Sequence, residues 1–222
     1  MKFRCLVVSW LLCICNAVAA GPWARQQDQT FIAIGGNFLL SEGAELPVHY
    51  DPTLYVEYGL RPELTLGFDF HSANKGDILS GFTFARIPLG DPENALKTAA
   101  ALGVGFRRNS DTTEELLIRP GFSLGQSLPS GWLAFDGTVT YGAIDSKWRP
   151  KADFTWGQSW SPRWTTTFQV QTGMGFSDDH YAKVSPTMIY TANDRFKINF
   201  GAVRGLTGDK GSALKLETWI TY

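Results

Sequence analysis

Beyond residue 20 the 222-residue chain holds no unbroken apolar run of the roughly 18 residues that a helix needs to cross a bilayer. A helical membrane protein is therefore excluded. Cysteine is confined to Cys5, Cys13 and Cys15. With that leading stretch removed, the rest of the chain has no disulfide, no thiolate nucleophile and no cysteine metal site. Histidine is just as scarce: any general base or imidazole ligand must be His49, His71 or His180. An excess of positive charge is missing too, with 20 Lys and Arg against 21 Asp and Glu, and no basic stripe calls for nucleic acid.

The leading stretch has its own design. Met1 to Arg4 is a short basic start, Cys5 to Cys15 is an apolar run too short to span, and Val18-Ala19-Ala20 ends in small residues before Gly21-Pro22. That is the pattern of a secretory signal peptide, residues 1–20, with cleavage leaving Gly21 first. A lipoprotein signal does not fit, because neither Cys13 nor Cys15 comes after the small residues.

What the chain does have is glycine (23), aromatic residues (14%) and apolar residues at every second position. Strand side chains alternate between faces, so a lipid-facing barrel hides its hydrophobicity in a neutral average. The last residues show it best: Leu214, Leu216, Thr218, Ile220 and Tyr222 share one face, and Lys215, Glu217, Trp219 and Thr221 the other. Such alternation recurs in Gln29 to Ser41, Thr53 to Gly59, Leu64 to His71, Ile78 to Ile87, Thr98 to Arg107 and Leu116 to Gly125. It continues in Trp132 to Tyr141, Lys151 to Trp160, Thr165 to Phe176, Lys183 to Thr191 and Phe196 to Arg204. In the fourth of these segments the apolar pair is Phe82 and Phe84. The expected fold class is all-β, an antiparallel up-and-down transmembrane β-barrel of about twelve strands, with roughly ten to fourteen compatible with boundaries read this way. Residues 21–222 then form one barrel domain. A soluble β-sandwich is the competing reading, since short alternating strands also describe it.

The breaks suggest an orientation, because barrels carry short periplasmic turns and longer extracellular loops. Leu60 to Glu63, Gln126 to Gly131, Ser161 to Arg163 and Ala192 to Arg195 are short, and Pro88 to Lys97 is longer; the other breaks, from Glu42 to Pro52 onward, form the outer set. Tyr58, Trp160, Trp164, Tyr190, Phe196 and Tyr222 then make an aromatic girdle at the periplasmic rim. Three residues resist the scheme: Pro120 and Pro186 fall inside strands, where a missing N–H implies a bulge, and Gln158 falls on the lipid-facing parity.

The inward parity is the candidate site: Glu57, Asp69, Arg107, Arg119, Asp136, Lys151, Asp153, Gln169, Gln171, Lys197, Asn199, Lys215 and Glu217. Buried charges must pair or meet water, so these residues either cross-link a closed interior or line a wet pore of little charge preference. A barrel of this size lies between filled eight-stranded and open sixteen-stranded ones and allows a narrow conduit. Other chemistry is thinner. His71 shares a face with Asp69, and a histidine beside a serine at the rim would suit a lipid hydrolase, but the adjacent Ser72 points the opposite way. Asp178-Asp179-His180 reads as a solvated loop tip more readily than as a cation site. No cofactor motif is present.

These residues carry two resemblances. The terminal strand, with Leu214, Leu216, Ile220 and Tyr222, resembles the closing strand of a bacterial outer-membrane β-barrel, which implies recognition by the barrel-assembly machinery. The hairpin Tyr58-Gly59-Leu60-Arg61-Pro62-Glu63-Leu64-Thr65-Leu66-Gly67 resembles turns of small outer-membrane barrels, including transporters associated with aromatic-compound degradation. The resemblance implies outer-membrane lipid around the barrel and small solutes within it, and carries over no catalytic or ligand residue.

Overall fold

Twelve antiparallel strands close on themselves in the computed structural model, which describes residues 21–40, 47–73, 76–91, 93–208 and 210–222. The expected signal peptide lies outside the described residues. In order the strands are β1 (Thr30–Leu40), β2 (Pro47–Arg61), β3 (Leu64–Ala73), β4 (Ile78–Leu89), β5 (Leu96–Arg108) and β6 (Glu114–Leu128). They continue as β7 (Gly131–Gly142), β8 (Trp148–Ser159), β9 (Trp164–Met174), β10 (His180–Thr191), β11 (Phe196–Thr207) and β12 (Ser212–Thr221). Each pairs with its sequence neighbours, and β12 returns to β1 with Phe31 opposite Thr221 and Leu39 opposite Ala213. Closure leaves no sheet edge to bond elsewhere.

Several strands run further than their apolar alternation: β2 starts at Pro47, not Thr53, β8 at Trp148, not Lys151, and β6 spans Glu114 to Leu128. Alternation marks only the stretch that faces an apolar medium, and the ladder continues past it on backbone bonds alone. The breaks are correspondingly shorter. At the near end, where Thr30 and Tyr222 exchange backbone hydrogen bonds, turns are tight: the Asn193 carboxamide oxygen accepts from the N–H groups of Arg195 and Phe196.

Both prolines sit within strands. Pro120 keeps its place opposite Leu102 of β5, while the β6–β7 pairing lapses between Ile118 and Gly121; Pro186 stays opposite Phe168 of β9, while the β10–β11 pairing lapses between Val184 and Thr187. A proline deprives one ladder of one donor, and here only one side of each strand is interrupted. Gln158 lies at the near rim, where its amide donates to the Ser130 hydroxyl at 2.7 Å.

The outside of the barrel is apolar. Leu66, Leu102, Val104, Ile118, Phe154, Phe168, Ile198 and Leu216 are all exposed on it, which water would penalise and lipid would not. Leu214 and Leu216 continue that belt along β12, and Tyr222 ends it. Trp164 packs against Tyr190 with ring centres 4.8 Å apart at the near end, and Tyr141 against Trp148 at 4.7 Å at the far end, both pairs tilted, so aromatic residues mark both margins.

One strand turns its aromatic residues the other way. Phe82 and Phe84 of β4 point inward and are buried, and Thr83, Ala85 and Ile87 face out. The reason lies in the flanking strands. Gly67 stands opposite Phe84, and a methyl group there would come within 2.0 Å of the ring; Gly105 makes the same room for Phe82.

Candidate functional site

The interior begins with a segment that is no strand at all. Residues 21–29 fold back inside the near half of the barrel before β1 starts, and Pro22 is fully buried. Pro22 and Trp23 seat against Gly125 of β6, where a Cβ would come within 2.5 Å of both. Arg25 is the anchor. Its Nε donates to Glu57 of β2 at 2.5 Å, its backbone N–H donates to the Thr65 hydroxyl at 3.2 Å, and its guanidinium lies 4.4 Å from the Phe31 ring centre.

Glu57 is wholly buried and its carboxylate is the hub of the near half. It accepts from Arg25, from the Tyr55 hydroxyl at 2.6 Å and from Arg86 of β4, which also donates to the Tyr55 hydroxyl at 3.0 Å. Two guanidinium groups and a phenol satisfy one carboxylate, the condition under which an ion pair survives away from water.

The other inward residues form smaller groups. Arg119 of β6 reaches past two strands to Asp69 of β3 at 2.9 Å and lies 3.7 Å over the Phe82 ring. Lys151 pairs with Asp153 two residues on at 2.7 Å, and Lys215 with Glu217 at 3.3 Å. Gln171 donates to Gln169, which donates to the Thr155 hydroxyl. Asn199 and the Trp219 indole both donate to Glu217 at 3.2 Å. Asp136 accepts from Ser123 at 2.6 Å and stands across from Asp153 in the β7–β8 register. Lys197 has the inward parity of Asn199, opposite Trp219 and nearer the termini.

At the far mouth Arg107 and Arg149 both meet the Phe176 ring, at 3.8 and 4.8 Å. Arg149 is tied to Asp145 and Asp178, and Lys147 to Asp178, so the Asp178-Asp179-His180 segment is drawn into a clamp between loops. The hydrogen bonds from Arg149 hold the Asp145 carboxyl below its ordinary range. Among the described residues no group of three His, Cys, Asp or Glu is placed to hold a metal ion.

His71 faces inward on β3, with Ser72 on the opposite parity and Ser80 of β4 across from it. Among the described residues no hydrogen bond joins a serine hydroxyl to the His71 ring.

Two cavities open along the interior. One of about 220 Å³ lies between β1, β12 and the β7–β11 wall, and one of about 280 Å³ lies toward β3–β8. Tyr55, Asp136 and Gln169 line both, so the spaces adjoin beside the folded-back segment. Arg25 and Arg86 are interior residues that alternation alone misses, whereas Tyr55, Trp132 and Trp219 share the inward parity of Glu57, Asp136 and Lys215 and are passed over only when the site is chosen by charge. Arg25 precedes any strand; Arg86 hides behind the apolar look of Phe82 and Phe84. The glycines on the inward parity of β3 and β5 are the signal that could have turned β4 round.

No protein-family model matches the chain, and no curated protein sequence does. Solved structures do match in shape. A COG4313 outer membrane channel from Pseudomonas putida F1 superposes with a TM-score of 0.65 at 12% identity, over 92% of this chain and 100% of that one. The KdgM porin, solved also in complex with disordered oligogalacturonate, gives 0.60 at 7% identity over 87% and 99%. At these identities the likeness is one of fold: a closed antiparallel β-barrel shared with outer-membrane channels.

Proposed function

We propose that the protein is an outer-membrane channel that passes small solutes through a narrow lumen. The observation that carries this reading is the pair of adjoining cavities inside a closed barrel whose outside is apolar. A barrel built only as a structural post would have its interior filled by side chains, whereas here about 220 and 280 Å³ lie beside the folded-back segment. Charges of both signs alternate along the interior, and Asp69, Asp153 and Glu217 each hold a cationic partner, so the path holds water without a strong field that favours one ion.

In this reading residues 1–20 direct export and are cut away, the barrel-assembly machinery inserts the chain through its terminal strand (Leu214, Leu216, Ile220 and Tyr222), and lipid covers the apolar belt. Asp69, Arg119, Asp136, Lys151, Asp153 and Gln169 border the water path, with Asn199, Lys215 and Glu217 on its near side and Arg107 at its far mouth, while Glu57 lies behind it and holds Arg25 and Arg86. The aromatic faces of Phe31, Tyr55, Trp132 and Trp219, together with the hairpin Tyr58 to Gly67, support the narrower version in which the solutes are those of aromatic-compound degradation.

Cell fractionation with liposome swelling tests the proposal. The protein is expected in the detergent-extracted outer membrane, with Gly21 as its first residue by mass, and liposomes carrying it are expected to swell in small neutral solutes and not in large ones. Recovery as a folded, soluble periplasmic protein would end this reading.

A further inference from the structure

Resting on the channel reading, we infer that the 220 Å³ cavity is a binding site for a neutral ring bearing hydroxyl groups. Two polar atoms on its wall have no partner. Ser185 and Asn199 are 4% and 3% exposed, and both line the cavity, yet the Ser185 hydroxyl and the Asn199 carboxamide oxygen make no hydrogen bond. A buried polar group left unbonded is costly, so this wall is built to meet hydrogen-bonding groups supplied from inside the cavity.

The charged groups around it are already engaged. Glu217 receives Lys215, Asn199 and Trp219, at 3.3, 3.2 and 3.2 Å, and Asp136 accepts the Ser123 hydroxyl while facing a second carboxylate, Asp153, across the strands. An anionic ligand would meet the Glu217 and Asp136 carboxylates, and a cation at Glu217 would have to displace Lys215. A neutral ligand does neither. The Thr167 and Thr187 hydroxyls, 2.6 Å apart, share one hydrogen and keep further donor and acceptor capacity toward the space.

Part of the lining is aromatic. Phe31 and Trp219 meet edge to face with centres 5.9 Å apart, and Tyr55 and Trp132 extend the surface. Arg25 already covers the Phe31 ring, so a ring laid against the Trp219 or Tyr55 side is held by apolar contact, and hydroxyls on its rim then reach Ser185 and Asn199. At about 220 Å³ the space itself takes one ring, below the roughly 300–1,000 Å³ of pockets for larger ligands. The chemistry is shared by saturated polyols and by phenols.

Saturation-transfer NMR on the detergent-folded protein, with myo-inositol and resorcinol as hydroxylated probes and benzene and benzoate as controls, tests the site. Binding of either hydroxylated probe, roughly five- to tenfold weaker in Ser185→Ala, supports it, and which of the two binds tells a polyol site from a phenol site. Ser185→Ala removes a single unbonded hydroxyl, and unchanged heat-modified gel migration checks that it folds. Absence of binding by both probes, or benzene or benzoate binding as tightly with no effect of Ser185→Ala, overturns the proposal. Bilayer current separates the two claims: binding with a silent bilayer keeps the site and removes the channel, while current without binding does the reverse.

Discussion

The Arg25 guanidinium meets the Glu57 carboxylate at 2.5 Å inside the barrel, and through that contact a segment preceding every strand is fixed to the wall between β2 and β4. The two partners are not equivalent. Arg25→Ala leaves Glu57 bonded to Arg86 and Tyr55, so the barrel should fold with near-normal stability and a freed segment. Glu57→Leu strips both guanidinium groups of their acceptor and should cost about 3–5 kcal/mol, the usual penalty for stranding a buried charge. Urea unfolding in micelles separates them; equal losses would mean that the segment, not the ion pair, carries the stability.

Gly125 offers a second handle on the same segment. A side chain there occupies the seat of Pro22 and Trp23, so Gly125→Val should free the segment and raise the conductance without touching any charge. A variant with unchanged current would show that the segment does not restrict the path.

Arg119→Ala should leave the Asp69 carboxylate unpaired in the lumen and shift the channel toward cations. Reversal potentials across a salt gradient measure the shift. No change would place Asp69 outside the conduction path.

Orientation of the strands can be tested by charge. Arginine in place of Phe68 or Val170, on the lipid side, should cost about 2–4 kcal/mol of folding into bilayers, and arginine in place of Gln169 or Thr155 far less. Thr65 is unsuitable as an inward control, because it is buried beneath the folded-back segment and accepts the Arg25 backbone N–H. Larger losses at Gln169 and Thr155 than at Phe68 and Val170 would mean that inside and outside are exchanged, as a one-residue slip would do.

The clamp at the far mouth should respond to acid. Hydrogen bonds from Arg149 lower the Asp145 pKa in the folded protein, so the stability it adds is whole above the ordinary carboxylate value and is lost as pH falls through the lowered one. Hydrogen exchange in residues 143–147 should speed up over that acid range in the native protein and be insensitive to it in Asp145→Asn. An exchange rate that ignores pH in both would show that the ion pairs do not hold the loop.

The barrel was legible in the sequence because period two is imposed by the strand itself: a closed sheet with lipid outside must place apolar residues alternately, and Leu64 to His71 or Thr98 to Arg107 can be oriented on that ground alone. The rule fails where the interior is itself apolar. Phe82 and Phe84 satisfy alternation facing either way, and only the room at Gly67 and Gly105 on neighbouring strands decides it. The segment at residues 21–29 has no period to read, since its position comes from scattered tertiary contacts: Arg25 with Glu57 and Thr65, Asp28 and Gln29 with the Gly59 backbone, and Pro22 and Trp23 with Gly125. Pairing of the inward charges was equally hidden: Arg119 finds Asp69 across two intervening strands, a contact that depends on barrel curvature and side-chain length.

Single-channel recording of the folded protein in a planar bilayer tests the channel most directly. Small, steady steps with nearly equal permeability to potassium and chloride are expected in the wild type, and larger steps in Arg25→Ala. Silence of both proteins, each verified as folded and inserted, would contradict a conducting lumen and leave a closed structural barrel.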